Sequence, residues 1–139
     1  MSLVVAEATD DGPRIVSDTR VTFPEGPRSS FKTGTLKAIV LKRDLTICFT
    51  GDVTRGLAAV REFAKRVREG VAADDLLPQL QETTRSNGRI VEFIVADMAS
   101  GGGLLTRIRK DILERNLRHA WIGDKEAFDR FQAERHRGA

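Results

Sequence analysis

Apolar and polar residues alternate from Leu3 to Ala8, break at Thr9-Asp10-Asp11-Gly12-Pro13, and resume in an extended pattern from Arg14 to Ser17. Period-two alternation on both sides of a dense turn signal predicts a β-hairpin at the start of the chain. The segment from Phe23 to Gly34 is rich in proline, glycine and serine and reads as a loop. Leu36 to Leu41 and Leu45 to Thr50 then form two short strands turning through Lys42-Arg43-Asp44, a second hairpin.

After Gly51 the period changes. Leu57, Val60, Ala64 and Val67 recur at helical spacing, with Arg55, Arg61, Lys65, Arg66 and Arg68 on the other faces, which predicts an amphipathic helix ending near Gly70. Asp52 stands where its carboxylate can cap the first exposed amides. A shorter helix is predicted from Asp74 or Asp75, with Pro78 in its first turns and Leu76, Leu77 and Leu80 buried, stopping by Asn87-Gly88.

Ile90 to Ala96 is a strongly apolar strand, Met98 to Gly103 its turn, and Leu104 to Arg109 the return strand. The run Ser100-Gly101-Gly102-Gly103 lacks the Lys-Ser or Lys-Thr and the following helix of a phosphate loop, so it reads as a hairpin turn. His119 to Gly123 forms one more strand, and Asp124 starts a last helix with Phe128 and Phe131 on its buried side. The order hairpin, hairpin, two helices, hairpin, strand, helix implies α+β layers rather than a parallel βαβ sheet.

Composition narrows the function classes. A chain of 139 residues, 40% hydrophobic and 31% charged, fits a single domain over residues 1–139 with one real core. It carries no apolar run long enough to cross a membrane, and its start lacks the features of a signal peptide, so a cytoplasmic protein is expected. The net charge of +3 is spread among interleaved acids and bases and describes a solvated surface. No nucleic-acid-binding motif accompanies it. Cys48 is the sole cysteine, which excludes an internal disulfide, and on its apolar strand it reads as a buried packing thiol. His119 and His136 read as strand-edge and tail residues, with no zinc pattern around them.

The candidate chemistry begins at Ser2. If Met1 is removed, one residue carries both a hydroxyl nucleophile and an α-amine able to take its proton. The amine's reference pKa of about 7.7–8.0 leaves a neutral fraction near pH 7.

Ser2, Val16-Ser17-Asp18 with Val21-Thr22, Lys37 in Lys32-Thr33-Gly34-Thr35-Leu36-Lys37, Phe49-Thr50-Gly51-Asp52 before one helix, and Ala120-Trp121-Ile122-Gly123 before another occur in one register. In that register the chain resembles the proteasome β-subunit family of N-terminal nucleophile hydrolases, closest to the bacterial proteasome-like heat-shock peptidase subunit. The resemblance implies an αββα layered sandwich of antiparallel sheets. It places the amino-terminal nucleophile on Ser2, where the family's usual threonine is replaced, and the buried acid and base on Asp18 and Lys37. Gly51 falls where a backbone amide faces the oxyanion, and its lack of a side chain allows close approach of a substrate carbonyl. The implied reaction is hydrolysis of a peptide or other amide bond through an acyl-enzyme ester, without cofactor or metal. A Lys37 ammonium nearby would favour loss of the hydroxyl proton and lower the α-amine pKa, and Asp18 would hold it charged.

The resemblance also departs in two places. Gly123-Asp124-Lys125-Glu126 stands where the family has a serine-glycine-glycine run, so Asp124 either substitutes for the serine or caps the helix it starts. The family continues past the point matched by Ala139 with strands that pair with the amino-terminal hairpin and another acidic residue near the nucleophile. The last strands are therefore lacking or borrowed: the chain is a fragment, or a neighbouring subunit supplies the layer, or the fold is reduced and silent. The uncovered hairpin would otherwise carry an exposed edge and apolar face. A homo-oligomer with a peptide or protein substrate is implied; an ATPase partner is left open, with no docking signal in the sequence. Two other classes stand beside the hydrolase: a catalytically inactive proteasome-like subunit serving assembly or partner binding, and a small basic α+β binding module.

Overall fold

The computed structural model describes residues 3–17, 21–23, 30–32, 38–85, 90–99 and 103–137. The opening alternation becomes β1 (Leu3–Thr9) and β2 (Gly12–Ser17), joined by a tight turn in which Thr9 Oγ1 donates to the Gly12 carbonyl at 2.6 Å. Two three-residue strands, β3 (Val21–Phe23) and β4 (Ser30–Lys32), pair with each other within and beside the segment expected to be a loop. Next come β5 (Ala38–Lys42) and β6 (Leu45–Gly51), then helices α1 (Val53–Arg68) and α2 (Ala73–Thr84). The remainder is β7 (Val91–Asp97), β8 (Leu105–Arg109), β9 (Ile112–Leu117), β10 (His119–Gly123) and α3 (Lys125–Arg137).

Two antiparallel sheets carry the fold. One has the order β5-β6-β7-β8-β9 and the other β10-β1-β2. Strands β6 and β7 are buried on both faces, which is why they read as nearly continuous apolar runs. Ile47, Phe49, Phe93 and Val95 face α1 and α2 and pack with Val60, Phe63, Leu76, Leu77 and Leu80. Cys48, Ile94 and Ala96 face the other way and meet Val4, Ala6, Ala120 and Ile122 of the three-stranded sheet. Helix α3 lies on that sheet's far side, with Phe128 stacked on Trp121 at a ring separation of 4.5 Å. The layers therefore run helices, sheet, sheet, helix: the αββα sandwich of antiparallel sheets that the family resemblance implies.

Several details depart from the sequence reading. Strand β9 was not expected. It turns back from β8 through Lys110 and Asp111, whose φ values of 50° and 64° form a two-residue hairpin turn without the usual glycine signal. As an edge strand it is only partly covered, so its polar sequence shows little alternation. In α1 the buried positions are Gly56, Val60 and Phe63, while Leu57 and Val67 are only partly covered. Phe128 and Phe131 are also only partly buried: with Val5, Val16 and Trp121 they line an open pocket of about 690 Å³ between α3 and the three-stranded sheet. Among the described residues β2 pairs only with β1, and its Val16 is 49% exposed.

Candidate active site

Of the residues nominated from the sequence, Ser2, Asp18 and Lys37 lie outside the described residues, and Gly51 lies within them. Their described neighbours share one end of the sandwich. Leu3, which follows Ser2, is paired with Gly123 at the end of β10. Ser17, which precedes Asp18, is opposite Val4 at the same end. Ala38, which follows Lys37, opens β5 opposite Cys48, three residues short of Gly51 along β6.

Gly51 closes β6 opposite Val91 with φ of 101°, a backbone conformation that side chains disfavour. A Cβ there would sit 2.0 Å from the Ile90 carbonyl oxygen. The next amide, of Asp52, donates to that same oxygen at 2.9 Å. Asp52 Oδ1 then accepts from the Arg55 amide at 2.9 Å, so the expected cap of α1 is formed.

The same sequence of events recurs at the end of β10. Gly123 has φ of 108°, and Asp124 Oδ1 accepts from the Ala127 amide at 3.0 Å as α3 begins. Asp124 is thus a helix cap, one of the two roles open to it. Strand, left-handed glycine, capping aspartate and helix appear twice, in Thr50-Gly51-Asp52 and Ile122-Gly123-Asp124, one from each sheet.

Glu92 joins the two corners, and sequence reasoning missed it. It lies opposite Thr50 in the β6–β7 ladder, is 9% exposed, and its Oε1 accepts from the Gly123 amide at 3.0 Å. Because Gly123 pairs with Leu3, this bond ties the Gly51 end of the larger sheet to the beginning of β1. Beside it Thr50 is 1% exposed, and its Oγ1 has no hydrogen-bond partner among the described residues. The available signal was a lone acid inside the apolar run Val91-Glu92-Phe93-Ile94, where burial of a carboxyl needs a polar partner.

Cys48 is fully buried between the sheets, and burial pushes its thiol up to about 12. That is the inert packing thiol expected from its strand. His119 is exposed on β10 and lines the pocket under α3, on the opposite face of the three-stranded sheet from Glu92.

Among solved structures, the chain is similar to eukaryotic HslV from Trypanosoma brucei, with a TM-score of 0.66 and 14% sequence identity over 88% of this chain and 71% of that one. The likeness shows the fold alone: a sandwich of two antiparallel sheets between helices, as in that HslV. No protein-family model matches the chain, and no curated protein matches it in sequence.

Proposed function

We propose that this chain is a proteasome-like hydrolase of peptide or other amide bonds, with Ser2 as its amino-terminal nucleophile once Met1 is removed. The supporting observation is the gathering of Leu3, Ser17, Ala38 and Gly51, each a nominated position or its described neighbour, at one end of an HslV-like sandwich. In this reading the α-amine of Ser2 takes the Oγ proton as Oγ attacks the substrate carbonyl carbon. Lys37, held charged by Asp18, lowers the cost of the developing alkoxide. The Gly51 amide donates to the carbonyl oxygen as it becomes an oxyanion, and collapse expels the amine product with the proton. Water then hydrolyses the ester and restores Ser2.

The test is intact mass followed by reaction with an electrophilic peptide mimic. The mature chain should lack Met1 and gain one adduct, which Ser2→Ala abolishes. Retained Met1, or an adduct that survives Ser2→Ala, sinks the reading.

One observation favours a second reading, a catalytically silent subunit serving assembly or partner binding. Asp124, at the position of the family's serine, already accepts from the Ala127 amide as the α3 cap. Absence of any Ser2 adduct on a chain that has lost Met1 selects this alternative. Both readings take the protein to be cytoplasmic and to assemble from copies of itself.

A further inference from the structure

We propose that Glu92 is a positioning residue that holds the beginning of β1 against the Gly51 corner, a role that rests on the amide-hydrolase reading given above. Along β7, Val91, Phe93 and Val95 belong to the core under the helices, whereas Ile94 and Ala96 belong to the core between the sheets. Period-two alternation puts Glu92 on the inter-sheet side with them. Leucine or isoleucine would fill that side without the desolvation cost of a carboxyl group, so packing does not account for Glu92.

What Glu92 adds is direction. Its Oε1 takes the Gly123 amide at 3.0 Å, at the point where β10 leaves the sheet with φ of 108°. Gly123 is the register partner of Leu3, the residue that follows the proposed nucleophile. On its other side Glu92 is the cross-strand neighbour of Thr50, which immediately precedes Gly51 and carries a buried hydroxyl without a partner among the described residues. One side chain therefore connects the strand that delivers the nucleophile to the corner that supplies the oxyanion amide. Apolar contacts between sheets tolerate sliding, whereas a hydrogen bond to a backbone amide weakens steeply with misalignment. Nucleophile placement is sensitive to shifts of that size.

The experiment compares Glu92→Leu, Glu92→Asp and Glu92→Gln in the full chain by hydrogen exchange and by the rate of Ser2 acylation with an electrophilic peptide mimic. Leu removes the acceptor, Asp withdraws it by one methylene, and Gln keeps an acceptor oxygen at the same reach. In the Leu and Asp variants the Gly123 amide should exchange about tenfold faster and acylation should slow about tenfold, the factor that one ordinary hydrogen bond supplies. Reversible binding of the mimic and exchange in α1 should stay at wild-type values, and Gln should restore both rates to within about threefold. Wild-type exchange at Gly123, or wild-type acylation, in a folded Leu or Asp variant overturns the proposal. If Ser2 of the unmodified chain is never acylated, the hydrolase reading fails by itself; Gly123 exchange then decides whether Glu92 holds the strand end.

Discussion

A methyl group on Gly51 would lie 2.0 Å from the carbonyl oxygen of Ile90, the atom that already accepts the Asp52 amide. The corner between β6 and α1 is therefore closed to any side chain. With φ of 101°, Gly51→Ala combines an unfavourable backbone conformation with a clash against backbone that cannot rotate away. The expected loss is at least about 2 kcal/mol of unfolding free energy, measured by urea denaturation. A loss under half of that would show that the corner relaxes freely.

Gly56 is constrained by a side chain instead. A Cβ there would meet Phe49 Cδ2 at 2.3 Å, and Phe49 is fully buried under α1. Alanine gains about 1 kcal/mol over glycine in helix propensity, but overpacking costs about 1–3 kcal/mol, so Gly56→Ala should destabilise on balance. Because the obstacle is a ring, Phe49→Leu should offset part of that loss in the double variant. A double-mutant cycle should return a favourable coupling of about 1 kcal/mol.

Cys48 should resist thiol reagents at pH 8 in the folded chain and react fully in denaturant, because its buried thiol is pushed up to about 12. The same shift has a thermodynamic consequence. The folded pKa lies above the unfolded value, so the contribution is complete below the ordinary thiol range and is lost as pH rises from there through the folded pKa. Denaturation curves between pH 8 and about 11 should show a downward slope that Cys48→Ala reduces. An equal slope in that variant would assign the alkaline loss to other groups.

Arg107 links three strands of the two sheets. Its Nε and Nη2 donate to Glu114 at 3.0 and 2.9 Å, and its Nη1 donates to the Trp121 carbonyl at 3.3 Å. The Arg107 hydrogen bond holds the Glu114 carboxyl below the usual range. That contribution is present above the unfolded glutamate pKa of about 4.3 and is lost as pH falls through the depressed folded value. Glu114→Gln should cost about 0.5–1 kcal/mol at pH 7, given the partial exposure of the pair, and nothing in strong acid. Arg107→Ala should cost more, since it also releases the Trp121 carbonyl, and thermal melts at pH 7 would order the two.

The elements with a strong period were legible in the chain. Leu57, Val60 and Val67 mark α1, and the runs from Leu45 to Thr50 and from Ile90 to Ala96 mark the two central strands. Gly51 and Asp52 announced a strand-to-helix corner because a left-handed turn and a helix cap each demand a narrow set of residue types. Strand β9 escaped because Lys110 and Asp111 adopt left-handed conformations without glycine and because an edge strand need not alternate.

The sequence by itself determined which segments are strands and which are helices, and hence the α+β layering, since these depend on local period, while Ser2, Asp18, Lys37 and Gly51 were nominated through the family resemblance. Only the tertiary structure decided that Glu92, far from Gly123 in sequence, crosses between the sheets to meet it, and that Asp124 is used as a helix cap. Strand register and sheet stacking fix which distant residues meet, and a one-residue slip of β7 would have turned Glu92 to the helix side.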